Sequence, residues 1–125
     1  MKYEGLYMNK DKLIDTFILY TVEQRDVDYG DPASVRKYNS LMTKKSKIAK
    51  QINDKYPELI PDFATLLQHP DWDVKLACAI RMLVDISCEE NDKDCAANTI
   101  KEYINTHHTA DTILWRMRLR DLGLL

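Results

Sequence analysis

The chain has 125 residues, of which 45% are hydrophobic and 30% charged, and a formal net charge of −2. This length suits one domain, 1–125, with its own core, and the composition is that of a globular protein. The small net charge argues against non-specific binding to nucleic acid or anionic lipid. No apolar run approaches the ~18 residues of a membrane span. Residues 1–9 lack a signal-peptide pattern and are expected to form a flexible N-terminal segment.

Two helices are predicted for the first half of the chain. Residues 12–26 place Leu13, Phe17 and other apolar residues at helical spacing, and Gly30 is expected to end this helix in a left-handed conformation. Asp31-Pro32 then begins a helix that reaches Tyr56, because Asp can cap a helix and Pro fits its first position. This second helix is the longest amphipathic segment of the sequence.

Two helix pairs are predicted for the second half: 58–68 with 72–87, and 92–105 with 109–123. A residue before proline avoids helical geometry, so Pro70 should end the third helix, and Asp71 or Asp73 should cap the fourth. The fourth helix is apolar on nearly all sides, which indicates a central position with neighbours on more than one side. Gly123 should close the last helix. The sequence shows no strand pattern and therefore predicts an all-α fold of about six helices.

The segment LIPDFATLLQHPDWDVKLACAIRML resembles a HEAT repeat. The resemblance is carried by paired leucines, a Pro/Asp turn and a small pair on the second helix, namely Leu66-Leu67, Pro70, Asp71, Asp73, Val74-Lys75 and Cys78-Ala79. Lys and Cys stand where the repeat usually has Arg and Ala. The whole chain is also similar to a bacterial family of short, single-domain HEAT-like proteins of unknown function. That resemblance implies a short HEAT-like or armadillo-type α-α superhelix, built from helix pairs 58–87 and 92–123, in a bacterial cytoplasm. It implies no catalytic residues.

The sequence offers no convergent set of catalytic groups, so we expect a non-enzymatic protein without cofactor or metal. Cys78 lies among apolar residues, as a small core residue does. Three cysteines, an odd number, fit reduced thiols in a cytosol. Cys88, Cys95, His107 and His108 fit no usual zinc spacing, and the sequence leaves open whether they have any role.

Protein binding is the predicted function, with an inhibitor or immunity-type adaptor as its narrower form. HEAT-type pairs expose their second helices along one side, here 72–87 and 109–123. Because Trp and Arg most often anchor interfaces, the predicted interface residues are Trp72, Arg81, Asp85, Arg116 and Arg120. Arg81 and Asp85 are four residues apart and can pair, whereas Arg116 and Arg120 are like charges at that spacing. The net acidity favours a basic partner.

Nucleic-acid binding through the second helix is the alternative function. A basic helix can neutralise phosphates, and the predicted face consists of Lys37, Lys44, Lys45, Lys47 and Lys50. No aromatic residues interleave these lysines for base stacking. A solvated or salt-bridged face is therefore the plainer interpretation of the same pattern.

Overall fold

A computed structural model of the chain describes residues 10–107 and 111–123. Within these ranges the chain forms six α-helices and two short 3-10 helices, without a β-strand, which confirms the all-α prediction. The α-helices are α1 (Lys10–Gln24), α2 (Pro32–Lys55), α3 (Ile60–Ala64), α4 (Trp72–Val84), α5 (Glu90–Thr106) and α6 (Asp111–Asp121), and the 3-10 helices are Pro57–Leu59 and Thr65–Gln68. The chain divides into two compact units with the boundary between Phe63 and Ala64.

The predicted aspartate caps are confirmed at two helix starts. At α2, the Ala33 N–H donates to Asp31 Oδ1 at 3.1 Å, and Pro32 occupies the first helical position. At α4, the Asp73 N–H donates to Asp71 Oδ1 at 2.9 Å. Each cap satisfies one of the free N–H groups of a first turn, which is worth about 1 kcal/mol of helix stability.

The prediction that Gly30 ends the first helix in a left-handed conformation is wrong. α1 ends earlier, at Gln24, and Gly30 has no positive φ. The segment before α2 is instead held by an aspartate: the Gly30 N–H donates to Asp28 Oδ1 at 2.9 Å, while the Asp28 N–H donates to Ser34 Oγ at 2.8 Å. A left-handed glycine does follow α6, as predicted, at Gly123 with φ 74°.

The third predicted helix, 58–68, forms as three short pieces: a 3-10 turn, α3 and a second 3-10 turn. Pro57 and Pro61 each remove an N–H donor from this stretch, so a continuous ladder of helical hydrogen bonds is interrupted. His69 is extended (φ −63°, ψ 142°), as expected of a residue before proline. α4 ends at Val84, three residues before its predicted end, where the Asp85 N–H donates to the Arg81 carbonyl at 2.8 Å.

The first unit is built on the packing of α1 against α2. The Phe17 and Phe63 rings meet edge to face, with centroids 5.0 Å apart, an arrangement that aromatic pairs favour. The fully or almost fully buried apolar residues of this unit are Leu13, Phe17, Leu41, Ile48, Ala49, Ile52 and Phe63. Those on α1 and α2 occupy the inner faces of an amphipathic helix pair, as the helical spacing of the sequence predicts, and Phe63 is added from α3.

The second unit is organised around α4, which contacts the 3-10 helix Thr65–Gln68 on one side and α5 on another. Eight of its 13 residues are buried, which confirms the prediction that this apolar helix is central. Small residues on both helices are buried, namely Ala77 and Ala79 on α4 and Ala96 and Ala97 on α5. Small side chains allow neighbouring elements to approach a helix closely. α6 packs on α5 through the fully buried Leu119.

Candidate functional site

The outward side of α6 carries a row of exposed apolar side chains. Ile113, Leu114 and Met117 are 63%, 59% and 53% exposed, whereas Leu119 on the same helix is fully buried. Ile113 and Met117 are four residues apart and lie on one face of the helix. One neighbouring helix can cover only one side of α6, so the opposite apolar row remains in contact with solvent. Contiguous exposed apolar residues on a folded chain are typical of interaction sites.

Two arginines lie beside this apolar row. Arg116 follows Ile113 by three residues, and Arg120 follows Met117 by three, so each is a helix-surface neighbour of an apolar residue. Both arginines are exposed. Neither forms a salt bridge with any side chain that the structure describes. Arg118 is placed differently, with its guanidinium 5.8 Å from the centroid of the half-buried Trp115 ring.

Trp72 belongs to an aromatic cluster at the start of α4. Its ring meets His107 edge to face at 5.2 Å and lies 5.7 Å from Tyr103, while His107 and Tyr103 stack at 4.2 Å between centroids. Lys75 Nζ lies 4.4 Å from the centroid of the Trp72 ring, a cation–π distance. Trp72 is thus half-buried and engaged on several sides, so it links α4 to the end of α5 within the second unit.

Arg81 and Asp85 form a buried ion pair, as their spacing predicts. Arg81 Nη1 lies 2.7 Å from Asp85 Oδ2, and the two side chains are only 11% and 4% exposed. Arg81 Nε is buried and has no hydrogen-bond partner among the described residues. A pair this inaccessible presents little charge to a partner protein. The expectation that α4 lines an exposed side therefore does not hold for these two residues.

The basic side of α2 is exposed except at one position. Lys37, Lys44, Lys47 and Lys50 lie in solvent, but Lys45 is only 4% exposed. Lys45 Nζ donates to Thr21 Oγ1 at 3.3 Å and lies 5.5 Å from the Phe17 ring centroid. The assignment of Lys45 to a phosphate-facing surface is thus wrong, because its position in the helix turns it towards α1. Its long aliphatic stem packs in the core while its ammonium finds a hydroxyl.

The three cysteines, all among the described residues, form no disulfide and differ in accessibility: Cys78 is buried, Cys88 half-buried and Cys95 exposed. Burial raises the pKa of the Cys78 thiol far above its ordinary value, as expected of a core residue. Burial, and then the Asp92 carboxylate, raises the pKa of Cys88. A raised pKa lowers the thiolate fraction and with it nucleophilic reactivity.

No set of three or more His, Cys, Asp or Glu side chains in the described part of the chain is placed to hold a metal ion. His107 is engaged with Tyr103 and Trp72, and His108 lies outside the described residues. None of the described helices is both long and apolar enough to cross a membrane.

A shallow cleft lies between α1 and α2 in the first unit. It measures about 150 Å³ and is lined by charges of both signs, including Glu23, Asp26 and Lys37. Ligand pockets for small molecules are usually larger, of the order of 300–1,000 Å³, and mostly apolar. This cleft therefore has neither the size nor the lining of such a pocket.

Comparison with known proteins gives no match: neither a protein family, nor a curated protein, nor a solved structure is detectably similar to this chain. Of the predicted interface residues, Arg116 and Arg120 lie together on the outward side of α6, Trp72 lies in the aromatic cluster, and Arg81 and Asp85 are buried.

The sequence reasoning missed the exposed apolar row beside the two arginines. Apolar residues occur on two sides of this helix, Ile113, Leu114 and Met117 on one and Trp115, Leu119 and Leu122 on the other, but the sequence does not show which side a neighbouring helix covers. The available signal was that apolar residues occur on opposite sides of a helix for which only one sequence neighbour, α5, was predicted.

Proposed function

We propose that this chain is a non-enzymatic protein-binding domain that docks a partner on the outward side of α6. The observation that carries the proposal is the exposed row Ile113, Leu114 and Met117, flanked by Arg116 and Arg120. Apolar side chains supply the favourable burial in most associations, and arginine is enriched where interfaces carry their energy. We name this set of five residues the α6 surface.

A HEAT-like arrangement would support the same role. In such proteins consecutive helix pairs stack so that one helix of each pair faces a partner. α4 contacts the 3-10 helix Thr65–Gln68 before it and α5 after it, and α6 contacts α5, which is the order of contacts expected of consecutive helix pairs. Within this proposal the chain acts as an inhibitor or immunity-type adaptor, by covering a surface of its partner without making or breaking a bond. Three free cysteines fit a cytoplasmic setting.

Site-specific photo-crosslinking tests the α6 surface. A photoreactive amino acid replaces Leu114 in the full chain, which is expressed in the cells that encode it. We expect one discrete adduct that disappears when Met117→Ser is added. The control carries the same group at Val22 on α1, which is 40% exposed and belongs to the first unit. Adducts of equal yield at both positions, or none at Leu114, would remove the proposal.

Nucleic-acid binding through α2 is the second candidate, favoured by the exposure of Lys37, Lys44, Lys47 and Lys50. Phosphate contacts would make the affinity fall steeply with salt. The variant with Lys47→Glu and Lys50→Glu should then lose retardation of a labelled single strand or duplex at low salt. Absence of retardation by the unaltered chain would eliminate this candidate.

A further inference from the structure

We propose that the segment which docks on the α6 surface is an acidic amphipathic helix. This inference rests on the proposed docking function and adds the chemistry and shape of the partner. Three features of α6 support it: the pattern of charge, the length of the helix, and the like charges that a two-fold pair of copies would bring together.

The charge on α6 favours an acidic partner. The apolar residues Ile113 and Met117 form one row, and Arg116 and Arg120 form a parallel row beside it. Two like charges at this spacing repel each other, and no described carboxylate forms a salt bridge with either guanidinium. Carboxylates of a partner would be held at both positions, and Arg can bind each of them through two parallel N–H groups.

The size of the α6 surface favours a single helical segment over a broad interface. α6 has 11 residues and is therefore about 16 Å long. A broad protein–protein interface buries about 800 Å² on each partner, which needs a larger area than one side of so short a helix. A helical segment that presents apolar residues at three- and four-residue spacing matches this length. Its acidic residues would flank those anchors on the side that meets Arg116 and Arg120.

A second copy of the chain is a poorer occupant. In a two-fold pair with antiparallel α6 helices, each side of one helix meets the same side of the other. Arg116 and Arg120 of one copy would then lie against the same two residues of its partner. Like charges brought together in an interface oppose association, so the apolar row favours a different chain.

The test uses the full chain labelled with ¹⁵N and three synthetic peptides of roughly four helical turns. The first peptide has leucine anchors flanked by glutamate, the second has lysine in place of every glutamate, and the third has the composition of the first in scrambled order. We expect the acidic peptide to shift the resonances of α6. Its affinity should exceed that of the basic peptide by about tenfold or more and should decrease with added salt.

Charge reversal supplies the second arm. The variant with Arg116→Glu and Arg120→Glu should bind the basic peptide better than the acidic one. The matched control, Lys47→Glu with Lys50→Glu on α2, makes the same change in net charge and should keep the original preference. Circular dichroism melting confirms that both variants fold, as expected for exposed positions.

The outcomes separate the partner chemistry from the docking function. Equal affinity for the acidic and basic peptides, with both lost in the Met117→Ser variant, would overturn the acidic helix while the α6 surface remains a docking site. Binding of the scrambled peptide as tightly as the acidic one, or shifts confined to residues outside α6, would also overturn it. Self-association through α6 in sedimentation, with no response to any peptide, would assign the surface to a second copy.

Discussion

The buried ion pair on α4 gives the sharpest energetic prediction. Replacing Arg81 with Met, or Asp85 with Leu, removes one member of an ion pair whose two side chains are only 11% and 4% exposed. Exposed ion pairs contribute about 0–1 kcal/mol, whereas removing one member of a buried pair costs about 3–5 kcal/mol. We expect each single variant to lose about 3 kcal/mol of unfolding free energy. This is the lower end of the range for buried pairs, because the Arg81 side chain retains slight solvent contact.

The double variant should behave differently. With both charges removed, neither member of the pair stays buried without the other, and Met also eliminates the buried Arg81 Nε, which lacks a described hydrogen-bond partner. The double variant should therefore lose no more than either single variant, which corresponds to a coupling energy of about 3 kcal/mol. An exposed arginine on α6 provides the control, since Arg116→Met should change stability by less than about 0.5 kcal/mol.

Urea unfolding followed by far-ultraviolet circular dichroism measures these differences. If the losses of the two single variants simply add in the double variant, the pair is not coupled and our reading of its geometry is wrong. A loss below about 1 kcal/mol in each single variant would show that solvent reaches the pair. In that event Arg81 and Asp85 would be accessible to a partner, as the sequence analysis predicted for interface residues.

Four further predictions concern the exposure and ionisation of single side chains. Met117→Ser should change the melting temperature little, because the side chain is 53% exposed. The same variant should abolish the crosslink from position 114. A large loss of stability would mean that Met117 is buried. Lys45→Ala should lower the free energy of unfolding in urea by about 1–3 kcal/mol, since the Lys45 stem is buried and its ammonium donates to Thr21 Oγ1. The control variant Lys47→Ala should lower it by less than about 0.5 kcal/mol. Equal effects would contradict the burial of Lys45. Cys95 should react with a thiol reagent in the folded chain and Cys78 only after unfolding. Because burial raises the pKa of Cys78 and Cys88 in the folded state, their contribution to stability is fully present below the unfolded thiol pKa of about 8.5. That contribution is lost as the pH rises from there through the raised values, and the loss should vanish when both are replaced by Ala.

The sequence was sufficient to predict the helices because their signals are local. Asp31 with Pro32, and Asp71 before α4, cap helices through bonds to N–H groups two residues away, which sequence spacing specifies directly. The central position of α4 follows from apolar residues on all its sides. The broken third helix was harder to predict. Pro57 and Pro61 lack an N–H, and this interrupts a helix only where that N–H would have donated a helical hydrogen bond.

The candidate site was predicted less well because exposure depends on tertiary packing. Lys45 and Lys47 are two residues apart and chemically identical, yet one is buried beside Phe17 and the other is solvated. The difference is decided by the rotation of α2 about its own axis relative to α1, because this rotation sets which side chains face α1. Net charge is a property of the whole chain, whereas a binding surface is local: the chain is acidic overall, but the α6 surface carries two arginines, which is why we propose an acidic partner segment where the net charge favours a basic partner.

The most direct test of the account is a measurement of solvent access at Met117. Methyl NMR of the ¹³C-methionine-labelled chain, with a soluble paramagnetic agent, compares Met117 with the fully buried Met82 of the same unit. The account predicts that the Met117 methyl signal broadens strongly in the free chain while the Met82 signal does not, and that a bound partner protects Met117. Equal protection of Met117 and Met82 in the free chain would show that the apolar row is already covered, and the α6 surface would not exist.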